Sequence, residues 1–176
     1  MRIYLVGMPG SGKTTLGKSL ASKRSYIFVD LDERIVHAEG MPISEIFNQK
    51  GEEYFRKLES SLLQATGAED NIVVATGGGA PCFYDNMKQI NHMGISLLLQ
   101  IPVEQLASRV APAKNQVQTR PLFAGKNQAE IIETLQGMWQ KRAPFYQQAH
   151  ILLSPKDIKA DKVWQLIEKF IQQKAS

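Results

Sequence analysis

The chain has 176 residues, of which 43% are hydrophobic and 22% charged, and it carries a formal charge of +4. That is the profile of an ordinary globular protein with enough length to bury a substantial core. The single cysteine, Cys82, excludes an intrachain disulfide framework and suits a reducing cytosol. No apolar run is long enough to span a membrane, and the first residues lack the charged-then-apolar pattern of a leader. The expectation is therefore a soluble cytoplasmic protein. No run of five like charges and no basic stretch interleaved with aromatics is present. The basic balance then favours anionic small substrates over nucleic acid or a membrane surface.

Arg2-Ile3-Tyr4-Leu5-Val6 reads as a short strand, and Thr15 to Ala21 has helical spacing. Between them stands Gly7-Met8-Pro9-Gly10-Ser11-Gly12-Lys13-Thr14, the G-x-x-x-x-G-K-[ST] pattern in its strand–loop–helix setting. The glycines let successive backbone N–H groups turn inward around an anion, and the positive end of the helix adds to the attraction. Lys13 is placed to reach the β- and γ-phosphates, and the Thr14 hydroxyl to ligate Mg²⁺. A nucleoside triphosphate would thus lie against Gly10, Ser11, Gly12, Lys13, Thr14 and Thr15. The alternative is a Gly-rich turn with no ligand.

Tyr26 to Val29 reads as a second strand, and Asp30 and Asp32 follow at the sheet edge that also carries the phosphate loop, the edge where open α/β sheets bind ligands. Along an extended strand the two carboxylates would point the same way. One can support Mg²⁺ while the other orients and deprotonates a hydroxyl that is being phosphorylated; alternatively, both merely cap the next helix. Residues 31–39 read as that helix, with Gly40 as its stop. A short helix over Ile43–Gln49 and a longer one from Glu52 to about Ala68 come next, the latter with Phe55, Leu58, Leu62 and Ala65 on one face. Glu59 stands three residues after Arg56, within reach to orient it.

Ile72-Val73-Val74-Ala75 reads as a strand buried on both faces, followed by Thr76 and the Gly77-Gly78-Gly79 run. Three glycines imply close approach of the backbone to something, or else a flexible loop. This strand has no terminal Asp, so a metal role falls back on Asp30. After a helix in the eighties come a buried strand over Ile95–Ile101 and a helix over Val103–Val110 that carries Arg109. Residues 111–126, with two prolines and no apolar period, read as a mobile lid holding Arg120. Residues 128–147 read as helical but interrupted near Pro144, with Arg142 just before that break. His150–Leu153 is the last strand, and a helix over about 159–174 places Val163, Ile167, Phe170 and Ile171 on one face. Strands alternating with helices predict a three-layer α/β/α fold around a central five-stranded parallel sheet, in one domain.

Six stretches in this order resemble shikimate kinases: Gly7–Thr14, Asp30-Leu31-Asp32, Gly51-Glu52-Glu53-Tyr54-Phe55-Arg56, Thr76–Gly79, Arg120-Pro121-Leu122 and Arg142-Ala143-Pro144-Phe145-Tyr146. The resemblance runs from Gly7 to about Tyr146. It implies transfer of the ATP γ-phosphate to the 3-hydroxyl of shikimate, within aromatic amino acid biosynthesis. It also implies a shikimate-binding region over about 31–60 and a P-loop kinase fold with a lid over 111–126. Arg56 and Arg142 would hold the shikimate carboxylate, as guanidinium forks suit it. Asp32 would bind ring hydroxyls and act on the nucleophile, and Asp30 with Thr14 would support Mg²⁺. The backbone of Gly78 and Gly79 would complete the pocket, with Phe47, Phe55 and Pro121 as apolar walls. Arg120 would meet the phosphates and Arg109 would lie near the adenine. The stretch Ala149-His150-Ile151-Leu152-Leu153-Ser154-Pro155 departs from the family pattern, so no adenine contacts are assigned there. The lid is also poorer in arginine than the family pattern, which leaves more of the closed-state charge to Arg120.

Within enzymes the rival is another small P-loop kinase, acting on gluconate or a nucleoside monophosphate. From a different class, a nucleotide-dependent regulator or nucleic-acid binder would need features that are absent here, such as an N-K-x-D guanine-reading motif. A monomer with no protein partner is the plain expectation.

Overall fold

The sheet follows from short runs of β-branched and aliphatic residues whose alternate side chains serve opposite faces. The computed structural model describes residues 1–110, 123 and 125–175. Its strands are β1 (Arg2–Val6), β2 (Ile27–Asp30), β3 (Ile72–Ala75), β4 (Ile95–Leu99) and β5 (Ile151–Leu153), all parallel, in the order β2-β3-β1-β4-β5. On β1, Ile3 and Leu5 enter one core cluster while Tyr4 and Val6 enter the other; β3 divides Val73 from Ile72 and Val74 in the same way. That is the period-2 pattern of strands buried on both faces.

Helices α1 (Lys13–Lys23) and α7 (Ala160–Ala175) cover one face through Leu16, Leu20, Val163, Trp164 and Ile167. The other face is covered by α2 (Leu31–Glu39), α3 (Ile43–Ala65), α4 (Asn86–Met93), α5 (Val103–Val110) and α6 (Gln128–Tyr146). The expected three-layer α/β/α architecture with a five-stranded parallel sheet is what the chain adopts. Gly40 ends α2 in the left-handed region (φ 67°), its N–H donating to the Val36 carbonyl, as its place as a stop signal implies. No described helix is long and apolar enough to cross a membrane.

Several local expectations are corrected. The chain turns helical at Leu31, immediately after Asp30, so Asp30 and Asp32 are not neighbours on one face of a strand. Asp30 is the N-cap and Asp32 lies in the first turn, because the Asp30 side chain accepts the Asp32 backbone N–H at 3.1 Å. The two helices expected on either side of Gly51 are present, by contrast: the span α3 is broken by a kink at Gly51, whose φ of 80° and ψ of 170° are not helical. The buried face of its second half is Phe55, Glu59, Ser60 and Leu63, with Ala65 turned outward and Thr66–Ala68 forming a 3-10 turn.

Pro144 does not interrupt α6, which continues to Tyr146. A proline in the last turn removes only one late hydrogen bond, and the fully buried Tyr146 anchors the turn in the core. On α7 the buried face is Val163, Trp164 and Ile167, while Phe170 is half-buried and Ile171 exposed. Of the expected lid, Phe123 is buried, and the Lys126 ammonium donates to the Thr134 hydroxyl at 2.7 Å. Arg120, Pro121 and Leu122 lie outside the described residues.

Candidate active site

The carboxyl ends of β1, β2, β3 and β5 bring the phosphate loop, the Asp30 turn, the glycine run and the segment after Ser154 to one rim, with Arg109 of α5 beside them. An open cleft of about 1060 Å³ runs along it, lined by Pro9–Leu16, Asp30, Asp32, Thr76, Gly78 and Arg109. The loop geometry needs its glycines: Gly7, Gly10 and Gly12 have φ of 142°, 78° and 95°, values that other residues rarely adopt. Gly12 is the N-cap of α1 and offers no side-chain cap, so the first N–H groups of that helix, at the lining of the cleft, are left without a capping side chain from that position, the arrangement that suits an anion. Ser11 is buried, and Thr14 and Thr15 are exposed at the floor of the cleft. The Lys13 ammonium donates to the Gly7 and Met8 carbonyls at 2.9 and 3.1 Å, so the side chain arches over its own loop.

The Thr14 hydroxyl donates to Asp30 Oδ2 at 3.0 Å. A hydroxyl and a carboxylate side by side at the start of α1 are hard oxygen donors, the kind Mg²⁺ takes when phosphates and waters complete its shell. Among the described residues no group of three or more His, Cys, Asp or Glu side chains is gathered as a metal cage. The donor set therefore fits an ion that arrives with a nucleotide rather than one held by protein alone. Arg109 lines the cleft and its Nη1 lies 3.5 Å from the Ser11 carbonyl of the phosphate loop.

The glycine run is packed closely against charged side chains, which would have to shift to admit a Cβ. One on Gly77 would stand 2.6 Å from Glu59 Oε1 and 2.9 Å from Asp32 Oδ1; one on Gly78 would stand 3.1 Å from both Arg142 Nη1 and Pro9; one on Gly79 would stand 2.8 Å from Arg56 Nη1. None of the three has a positive φ, so close approach and not unusual backbone is what requires glycine here. Asp32, Glu59, Arg56 and Arg142 thus converge on one stretch of backbone, beside Pro9 of the phosphate loop. The sequence had named all of them.

Charge is concentrated in this corner. Glu59 is 1% exposed and accepts from Arg56 Nη1 at 2.7 Å, while Arg56, at 13% exposure, also donates from Nε to Glu52 at 3.3 Å. Burial pushes the Glu59 pKa up, with Arg56 pulling it back. Asp32 keeps an open side toward the cleft, yet the protein packed around its carboxylate strips part of its hydration. That desolvation, with Asp30 adding to it, raises the Asp32 pKa against the opposing pull of Lys13 and Arg56. Phe47 and Phe55 meet with ring centroids 4.5 Å apart beside Arg56.

Some of the site was not legible in the sequence. The fully buried Tyr146 donates its hydroxyl to the Gly78 carbonyl, and burial pushes its pKa up to about 12, so the bond persists across the working pH range. It holds the middle of the glycine run from α6, the helix that also carries Arg142. The far end of the cleft is walled by Pro155, Ile158, Lys159, Ala160 and Asp161. Their position just past a parallel strand's carboxyl end was the available signal.

Comparison with known proteins gives one answer. The sequence model described as shikimate kinase matches residues 9–173. A shikimate kinase of Bacteroides thetaiotaomicron is 40% identical over 173 residues, 98% of this chain and 95% of that protein. The crystal structure of a shikimate kinase from the same organism superposes with a TM-score of 0.89 at 37% identity, covering 96% of this chain and 98% of that one. The shikimate kinase of Acinetobacter baumannii, in complex with shikimate, superposes at 0.84 with 33% identity, over 96% and 93% of the two chains.

Proposed function

The chain belongs to the shikimate kinase family, and from that membership we propose how its own residues move the ATP γ-phosphate onto the 3-hydroxyl of shikimate, giving shikimate 3-phosphate and ADP. The observation that carries the assignment of roles is the convergence of Asp32, Arg56 and Arg142 on the Gly77–Gly79 backbone, next to the phosphate loop. Two guanidinium groups beside one carboxylate match an acceptor that offers both a carboxylate and hydroxyls. A nucleotide acceptor would instead need a pocket that reads a base.

Arg56 and Arg142 clamp the shikimate carboxylate, with the backbone of Gly78 and Gly79 closing that side and Phe47 and Phe55 walling the ring. Asp32 receives the hydroxyl. Its raised pKa makes it a better proton acceptor than an ordinary carboxylate. The hydroxyl oxygen forms its bond to the γ-phosphorus as the bond to the β-phosphate bridge breaks and its electron pair leaves with ADP; the hydroxyl proton passes to Asp32. Lys13 and the loop N–H groups from Gly10 to Thr15 receive the phosphate charge, and Arg109 borders the nucleotide. Arg120, on the lid assigned to 111–126, is proposed to add a cation to the transferring group. Mg²⁺, carried with ATP, would offset phosphate charge, and the residues that would hold it are Thr14 and Asp30. The whole chain acts as one kinase domain with its acceptor region over about 31–60. A cytoplasmic monomer completes the reading, a lone cysteine suiting a reducing compartment.

ADP release in a coupled assay with MgATP tests it against shikimate, gluconate and a mixture of nucleoside monophosphates. Turnover with shikimate alone is expected. Turnover with another acceptor would overturn the acceptor site, and ATP binding without any turnover would favour a regulator.

A further inference from the structure

Arg56 is held on three sides before any ligand arrives. Glu59 and Glu52 take its Nη1 and Nε, and three aromatic rings surround its guanidinium: Phe47 with its centroid 5.9 Å from Cζ, Phe55 at 5.0 Å and Phe83 at 4.3 Å. The two more distant rings come from α3 itself. The nearest comes from elsewhere, the turn that follows the glycine run. That turn is built for its position. Tyr84 and Asp85 both lie in the left-handed region, with φ of 48° and 55°, a conformation that persists in non-glycine residues only where the surroundings enforce it.

The enforcement is Asn86, which is fully buried. Its backbone N–H donates to the Phe83 carbonyl at 2.8 Å, its amide donates to the Ala80 carbonyl at 2.8 Å, and its Oδ1 accepts from the Ser60 hydroxyl at 2.7 Å. Ser60 lies one helical turn beyond Arg56 on α3, and Ala80 directly follows Gly79. One buried amide thus fixes the helix that carries Arg56, the glycine run, and the turn that lays Phe83 on Arg56.

We propose that Phe83, locked by Asn86, is a positioning residue for the acceptor site: its ring holds the Arg56 guanidinium in the plane in which it meets the acceptor carboxylate. This rests on the assignment of Arg56 as a carboxylate ligand. A cation over an aromatic face in a partly desolvated site is attracted to the ring itself, beyond simple packing. An aliphatic side chain of similar volume would keep the packing and lose the attraction, leaving Arg56 free to tilt. Phe83 touches no reacting atom in this scheme, so its effect belongs in acceptor binding and not in the chemical step.

Steady-state kinetics of Phe83→Leu with shikimate varied at saturating MgATP test this. The expected result is a shikimate KM raised roughly 5- to 20-fold, with kcat and the MgATP KM within about twofold and recovery in Phe83→Tyr. In an Arg56→Gln background the same substitution should add almost nothing, because the group it acts on is gone. A structural role alone would instead add in full and lower the melting temperature. A shikimate KM in Phe83→Leu within twofold of the parent, while Arg56→Gln raises it strongly, would overturn the proposal and leave the acceptor site standing. If Arg56→Gln itself leaves the shikimate KM unchanged, the assignment of Arg56 fails, and the role of Phe83 fails with it.

Discussion

Glu59 and Arg56 form an ion pair one helical turn apart, Nη1 to Oε2 at 2.7 Å, with the carboxylate 1% exposed and the guanidinium turned toward Gly79. A carboxylate this deeply buried is costly unless it is paired, so its retention calls for a reason. Orientation supplies one: Glu59 fixes one nitrogen of the fork proposed to receive the acceptor carboxylate. Glu59→Gln keeps the shape and removes the charge. Its shikimate KM should rise about tenfold, a loss of about 1.4 kcal/mol, with kcat nearly kept. A KM equal to the parent's would show that the aromatic rings hold Arg56 unaided.

Asp32 sets a second prediction. Its folded pKa is raised, first by desolvation and then by Asp30, so the native state holds that proton more tightly than the unfolded chain does. The stability it contributes is therefore fully present below the unfolded pKa and lost as pH rises through the folded value. At neutral pH the ionised group costs stability, and the proposed proton transfer is what would require it. Asp32→Asn should lower kcat roughly 10²–10⁴-fold, the range for a lost general base, while raising the melting temperature at pH 7. The parent's kcat/KM for shikimate should fall on the acid side at a pH above the ordinary carboxylate range. A destabilised Asp32→Asn variant would contradict the sign argued here.

Gly79 offers a steric test without backbone strain. Its φ of −92° and ψ of −22° suit alanine, so the added methyl matters only through what it meets, Arg56 Nη1 at 2.8 Å and Nη2 at 2.9 Å. Gly79→Ala should displace the guanidinium and raise the shikimate KM roughly 10- to 100-fold, the worth of a charge-assisted hydrogen bond, with little change in stability. Binding calorimetry with shikimate reads the loss directly; an unchanged Kd would mean that Arg56 faces away from the ligand.

What the sequence disclosed and what it withheld divide along a physical line. The strands were readable because Ile72–Ala75 and Ile95–Leu99 are continuous apolar runs, and the residues that meet at the cleft were readable because Lys13, Asp32, Arg56, Gly77–Gly79 and Arg142 each stand in a short local pattern. Asp30 and Asp32 were assigned to the right edge by the wrong geometry, since an N-cap and a strand end can share the same residues. The missed features are tertiary. Trp164 packs edge-on to Tyr26 at 5.4 Å and donates to the Leu20 carbonyl, from a position that helical spacing alone does not distinguish from Phe170 or Ile171. Phe83 meets Arg56 across 27 residues, and no local pattern reports such a contact.

Asp30 allows the metal assignment to be tested apart from the fold. Its Oδ1 caps α2 by accepting the Asp32 N–H at 3.1 Å, and its Oδ2 accepts from the Thr14 hydroxyl at 3.0 Å. Asparagine caps a helix as well as aspartate does, so Asp30→Asn should keep the cap through its remaining oxygen, while it removes the negative charge and puts an NH2 donor where Oδ2 accepted from Thr14. Mg²⁺ prefers charged carboxylate oxygen when it bridges to phosphates. The variant should then need roughly tenfold more Mg²⁺ for half-maximal rate at fixed ATP, with an unchanged melting temperature in the absence of nucleotide. Removing the charge also takes away one cause of the raised pKa of Asp32, so the acid limb of the shikimate kcat/KM profile should move to lower pH. A Mg²⁺ titration that superposes on the parent's would remove Asp30 from the metal site. An unmoved acid limb would show that the Asp30 charge does not contribute to the raised proton affinity of Asp32.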